Sequence, residues 1–481
     1  MTIRQRAYSG LRWNGLSKGL VALGGLIQLY LLIRYLDPAD FGLMAMVNVS
    51  LAFTYNFLDF GVNNAIVHKT DVSPRQLSSL YWFTILLGLV LGGIFYVLAP
   101  LVARFYETPP LTDLLRVLSL VFVINAFGNQ FKVLLIKELR FNRVALIDLL
   151  GFAVGFVVTV GLALRGRGVY ALVYGTLART VVEALASVGL GGDRYRPSWH
   201  FRLGEARFFI QFGLYQMGER LLNFFNKQAD LILVGKFLGP DLLGVYDVIK
   251  RFLLRPMEMI HPVLTGVTFP LMAKLQFQTE RLRAIYLRQI NYLCALNFPI
   301  YLLLFLAAEP VIVLMFGEAW LAYVWVFRGY VLVAMSYSTG NPVGTLLLAK
   351  GRAEWGFYWN LVLFFLIPMV VYGGLHWQLE GVVMALLLSQ ALLIFPNFYF
   401  LVRPLTASGS GPYFWQMLQP LLLSLAAVGF GTLLGKWLFT TALPQLLAIG
   451  IISGGLYLGA SWYFHRQLIH DFKALLFHDK A

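Results

Sequence analysis

Leu36-Asp37-Pro38-Ala39-Asp40-Phe41-Gly42 is a short polar turn between two long apolar segments, and 202 residues further on it returns as Leu238-Gly239-Pro240-Asp241-Leu242-Leu243-Gly244. Leu36, Pro38 and Gly42 align with Leu238, Pro240 and Gly244. The basic–aromatic pair before the turn repeats as well, Arg34-Tyr35 over Lys236-Phe237. Proline and glycine punctuate such turns. A helix-turn-helix that recurs at a fixed offset implies an internally duplicated bundle.

The flanks of both turns are apolar for far longer than a soluble core requires. Of the 481 residues, 59% are hydrophobic and 13% charged, where a soluble chain carries about 25% charged residues. The runs 76–103, 289–308, 381–402, 404–435 and 437–464 contain no Asp, Glu, Lys or Arg. About 20 apolar residues at 1.5 Å rise cross a bilayer core. A membrane β-barrel would show alternation over ~10-residue strands, and the runs here are continuous. The expected fold is therefore an all-α polytopic membrane protein with about fourteen transmembrane helices.

The fourteen expected spans are 13–34, 41–66, 80–103, 112–135, 144–164, 169–190, 207–235, 242–272, 286–308, 319–349, 355–375, 380–402, 412–436 and 444–465. Lys and Arg number 24 on the N-terminal side and in the even-numbered connections, and seven on the opposite side. The positive-inside rule then places both termini in the cytoplasm. The net charge of +15 follows mostly from this topology, with anionic membrane lipid as a secondary partner and no nucleic acid.

The repeat divides the chain into two pseudo-symmetric six-helix lobes, 1–190 and 207–403, joined by a cytoplasmic linker, 191–206. Residues 404–481 add two helices, expected to face lipid, and a cytoplasmic tail. Both lobes begin with an inside-out helix, so the repeat is parallel and its axis runs along the membrane normal.

Ionisable side chains at membrane depth cost ~2.5–3.5 kcal/mol each on insertion scales and mark functional sites by default. They cluster on spans 7 and 8. Arg220, Asn223 and Lys227 fall at i, i+3, i+7, and Asp247, Arg251, Arg255 and Glu258 at i, i+4, i+8, i+11, one face in each case. Lys250 and, on span 10, Arg328 add to the basic set. Too few carboxylates lie near in sequence to pair these cations, and an unpaired buried cation is heavily penalised. An anionic group would complete the arrangement, and the planar fork of Arg suits phosphate. Arg220, Asn223, Lys227, Lys250, Arg251, Arg255 and Arg328 are the candidate substrate ligands of a basic cavity. Asp59, Asp148, Asp230 and Asp247 are candidates for proton or sodium coupling. The bland readings stand beside these. Arg179 with Glu183 at i+4 reads as a self-satisfied pair, Arg255 with Glu258 as a structural pair, and Lys132 as a snorkelling residue.

No Walker A sequence, HExxH or Cys/His cluster occurs, so no catalytic residue, metal site or cofactor is expected. The single cysteine, Cys294, lies in an apolar run and cannot form an internal disulfide. His68, His261 and His376 are isolated. Asp37 with Asp40 reads as turn chemistry.

Several stretches match a known family. They include Ser9-Gly10-Leu11-Arg12-Trp13, Asp59-Phe60-Gly61, Leu80-Tyr81-Trp82, Lys137-Glu138-Leu139 and Tyr195-Arg196-Pro197. In the second lobe they include Phe269-Pro270, Thr279-Glu280-Arg281-Leu282-Arg283, Asn297-Phe298-Pro299, Phe316-Gly317-Glu318 and Gly340-Asn341-Pro342. The chain resembles the Wzx-type polysaccharide flippases of the multidrug/oligosaccharidyl-lipid/polysaccharide exporter superfamily, and most nearly the colanic-acid-exporter branch. The resemblance implies a bacterial inner-membrane transporter, not an enzyme, that translocates undecaprenyl-diphosphate-linked glycan repeat units by alternating access. A polysaccharide polymerase and a chain-length regulator are the further partners it suggests. Two alternatives are an ion-coupled drug/cation antiporter, against which the basic surplus counts, and a membrane polysaccharide polymerase, for which the large outward loops are lacking.

Overall fold

The computed structural model describes residues 3–58, 66, 72–193, 195–340 and 342–464. Among them every regular element is helical, as the composition requires: in hydrocarbon the backbone must satisfy its own hydrogen bonds, and a helix does so within one segment. The chain forms two compact units, Met1–Val248 and Ile249–Ala481.

The first unit begins with α1 (Ile3–Leu32) and α2 (Pro38–Leu58), separated by the first turn. Then come α3 (Pro74–Phe105), the two-part span α4 (Leu111–Leu118) and α5 (Leu120–Lys137), α6 (Phe141–Ala163) and α7 (Val169–Gly191). Local sequence sets the starts. Pro38 opens α2, where its missing N–H costs nothing. Ser73 accepts from the Gln76 N–H while the Gln76 side chain accepts from the Ser73 N–H, a reciprocal cap followed by Pro74. α6 packs on α7 and α1, and α5 on α7 and α3. α8 (Leu203–Lys274) runs from the first unit into the second and contains one break: Gly239 has φ 80° and ψ 179°. Two helices therefore meet at the second copy of the turn.

In the second unit α9 (Thr279–Leu306) is the central element. It is followed by α10 (Ala308–Met315), a 3-10 turn (Glu318–Tyr323), α11 (Val324–Gly340) and α12 (Pro342–Ala349). Next are α13 (Ala353–Gly374), α14 (Gln378–Pro396), a π-helical turn (Asn397–Val402) and α15 (Arg403–Thr406). α16 (Ser410–Leu438) and α17 (Ala442–Phe464) complete it. Tyr286, Ile290, Cys294 and Phe298 of α9 form a buried core with Leu346, Phe398, Leu405 and Tyr413. α16 packs on α9, and the Tyr457 hydroxyl of α17 donates to the Ala295 carbonyl at 2.7 Å. Their other faces present bare apolar side chains, with Leu433 72% and Ile451 74% exposed. Burying such surface in water is favourable by about 25 cal/mol per Å², so a row of them left outward is suited to lipid.

Eleven helices among the described residues are long and apolar enough to cross a membrane, against fourteen expected spans. The difference lies in two places. Spans 355–375 and 380–402 fall in one stretch, Ala353–Thr406. Spans 207–235 and 242–272 both fall in α8, whose charged residues keep it outside a purely apolar set.

Candidate functional site

The two copies of the turn pack on each other. A Cβ added at Gly42 would overlap the carbonyl oxygen of Pro240, and one added at Gly244 would overlap that of Pro38. The contact is reciprocal: each glycine lies against the proline of the other copy, at the same 202-residue offset that relates the sequences. Only glycine permits this backbone-to-backbone approach. Around it, the Lys236 Nζ reaches Glu107 Oε1 at 2.7 Å and lies 5.6 Å from the Phe105 ring. That hydrogen bond, and then the Lys236 charge, holds the Glu107 carboxyl below the usual carboxylate range. Asp40 accepts from the Asp37 N–H at 3.3 Å and from the backbone of Val169, which ties the first turn to the start of α7. Its oxygens are thus engaged by backbone, in keeping with a role in turn geometry.

On α8 the candidate substrate ligands keep the one-faced spacing read in the sequence, because the helix is regular on either side of Gly239. Arg220 and Asn223 are half-buried and Lys227 exposed in the first unit; Lys250 and Arg255 are half-buried and Arg251 exposed in the second. The pairing argument needs correction. Arg255 Nη1 lies 3.4 Å from Glu258 Oε2, and Arg328 Nη2 lies 2.9 Å from Glu309 Oε1. Arg220, Asn223, Lys227, Lys250 and Arg251 also have interactions of their own. The stripe is therefore a set of engaged cations that a stronger anion could recruit. The Arg255–Glu258 pair is substantially exposed, 41% and 53%, and such pairs contribute ~0–1 kcal/mol. A phosphate could displace it at small cost.

The coupling candidates separate by environment. Asp59 lies outside the described residues. Asp148 of α6 accepts from Lys132 of α5 at 2.5 Å. Lys132 is also 4.0 Å from Glu183, whose other oxygen holds Arg179 at 2.7 Å. Two cations and two carboxylates from α5, α6 and α7 thus form one network. It includes the Arg179–Glu183 pair that the i+4 spacing implies, and gives Lys132 a carboxylate partner instead of a snorkelling role. Gly151 makes room for it: a Cβ there would overlap the Glu183 stem. Asp230 and Asp247 are deeply buried, 6% and 3% exposed. Asp230 accepts from the fully buried Tyr246 hydroxyl at 2.7 Å and from the Leu231 N–H at 2.8 Å. His261 is also buried. Tyr246 and Glu309 were not singled out by sequence reading. Neither stands out by spacing, since each partner lies on a different helical segment.

Among the described residues no group of three His, Cys, Asp or Glu could hold a metal ion. What the fold and these charges define is a multi-pass helical membrane protein with a duplicated, self-contacting turn and a long helix, α8, rich in ionisable groups. A family model described as polysaccharide biosynthesis protein matches residues 31–325. The chain is 31% identical over 436 residues to the lipopolysaccharide biosynthesis protein WzxC of Escherichia coli (strain K12), covering 90% of this chain and 89% of that one. This chain belongs to the polysaccharide biosynthesis protein family, as its resemblance to the Wzx-type proteins implied. It is also 28% identical over 464 residues to the teichuronic acid biosynthesis protein TuaB of Bacillus subtilis (strain 168), covering 95% of each. The solved structure of the lipid II flippase MurJ in an inward closed conformation shares the fold. Its TM-score is 0.76 at 14% identity, over 95% of this chain and 99% of that one.

Proposed function

We propose that the chain is a transporter, not an enzyme, that flips undecaprenyl-diphosphate-linked oligosaccharide repeat units across the bacterial inner membrane for exopolysaccharide, O-antigen or capsule assembly. Arg220, Asn223, Lys227, Lys250, Arg251 and Arg255 take the diphosphate and first sugars, with Arg328 in support, while the polyprenyl chain stays in lipid. The lobes 1–190 and 207–403, with both termini in the cytoplasm, alternate access to this basic site, and the contact between the two turns opens and closes at the outer surface. A polymerase and a chain-length regulator receive the product. The observation that carries this reading is the concentration of Arg and Lys on one helix, α8, in a chain of the polysaccharide biosynthesis family. A deletion strain should accumulate lipid-linked repeat units on the cytoplasmic face, measured by accessibility to an impermeant sugar-modifying reagent. Units reaching the outer face at the normal rate would sink the proposal.

Coupling to protons or sodium rests on the carboxylates Asp148, Asp230 and Asp247, and on Asp59. Asp230 is the sharpest case, because neutralising it while keeping its shape leaves Tyr246 a partner. Asp230→Asn is expected to retain substrate binding and lose the stimulation of transport by an imposed ion gradient. Full stimulation in that variant would remove Asp230 from the coupling set.

A further inference from the structure

We propose that a cavity in the second unit, where the end of α8 meets the α12–α13 connection and α15, binds the phosphate diester headgroup of an anionic membrane lipid. The cavity has a volume of about 310 Å³ and is lined by Gln276, Phe277, Lys350, Arg352 and Trp355, among others. None of these is used by the transport site on α8. All three chain segments that meet there lie on the side to which the Lys and Arg distribution assigns the cytoplasm.

The lining has the parts a headgroup site needs. Lys350 Nζ donates to the Gln276 carbonyl at 2.6 Å, which fixes the ammonium at the cavity wall and uses one of its three donors. The Arg352 guanidinium lies 5.7 Å from the Trp355 ring and 3.4 Å from Glu354. Both members of that ion pair are about half exposed, 55% and 51%, so it holds the guanidinium weakly and leaves a planar fork that a phosphate can claim. Phe277, 90% exposed, and Trp355 supply aromatic surface at the ends of spans, the depth at which such rings sit among lipid headgroups. Ligand pockets run from roughly 300 to 1,000 Å³. This one is at the lower limit, and its volume suits a headgroup. Basic pockets of this kind on the cytoplasmic side suit anionic lipid. The aromatic flanks favour a lipid-borne phosphate over a soluble one.

The test is native mass spectrometry of the purified full chain titrated with phosphatidylglycerol, phosphatidylcholine or inorganic phosphate. Wild type is compared with Arg352→Gln and with the Lys350→Gln/Arg352→Gln double variant. Arg352→Gln leaves the Lys350–Gln276 hydrogen bond in place, so it reports on binding even where the double variant unfolds. Wild type should retain phosphatidylglycerol in preference to phosphatidylcholine. The double variant should weaken that binding by about 30-fold, and Arg352→Gln alone by about 5-fold. Unchanged phosphatidylglycerol binding in both variants would overturn the proposal, as would equal binding of the two lipids by wild type. Displacement of phosphatidylglycerol by inorganic phosphate at equal concentration would assign the cavity to a soluble anion and overturn the lipid reading.

Discussion

Arg251→Gln combined with Arg255→Gln is expected to abolish export while leaving folded protein in the membrane. Each charge-assisted hydrogen bond to a phosphate oxygen contributes about 1.5–3 kcal/mol. Losing two such contacts lowers transport by about 100-fold or more. Stability should change little, because Arg251 is exposed and the carboxylate partner of Arg255 is 53% exposed. Lysine at the same two positions keeps the charge but not the bidentate fork, so Arg251→Lys/Arg255→Lys should fall between wild type and the glutamine variant. Lys436→Gln, outside the stripe, should export normally. Export is read as surface polysaccharide per unit of membrane-inserted protein. Wild-type export in the glutamine variant would remove α8 from the substrate path.

Gly42→Ala and Gly244→Ala should each lower the melting temperature in detergent, and their combination should cost less than the sum. The reason is the shared contact. Either added Cβ overlaps a backbone carbonyl of the opposite turn, and a carbonyl cannot swing aside as a side-chain tip can. Overpacking of this kind costs about 1–3 kcal/mol. Once one alanine has separated the turns, the second meets open space, so the double variant should show a coupling of about 0.5–3 kcal/mol. Gly93→Ala is the control: nothing lies within 4 Å of its added Cβ, and alanine should be neutral or mildly stabilising in that helix. Additive effects near zero at both turn glycines would mean that the turns do not meet in the folded protein.

Much of the architecture was legible because hydrocarbon restricts what a chain can do. Runs such as 76–103 admit only a spanning helix, and the repeat of Pro38 and Gly42 at Pro240 and Gly244 located the second helical pair even though α8 is too charged to qualify by hydropathy. The same repeat marked the two stretches of backbone that touch. What the sequence could not give was pairing between helices. Arg179–Glu183 is local, four residues apart on one face, and was read from spacing. Lys132–Asp148, Asp230–Tyr246 and Arg328–Glu309 are 16, 16 and 19 residues apart, on different helical segments. Helical periodicity says nothing about which segments face each other. The inference that Arg328 lacked a carboxylate failed for that reason. The cavity at Lys350 and Arg352 escaped for the same reason, since its walls come from three connections far apart in the chain.

Reconstituted translocation is the most direct measurement. The purified chain would be placed in proteoliposomes loaded with undecaprenyl-diphosphate-linked oligosaccharide, and the fraction of glycan reaching the opposite leaflet followed with an impermeant probe. The expected result is movement that depends on the wild-type chain and is lost in the Arg251→Gln/Arg255→Gln variant. Movement at the same rate in wild type and variant, or none above protein-free vesicles in either, would contradict a flippase acting through the basic face of α8.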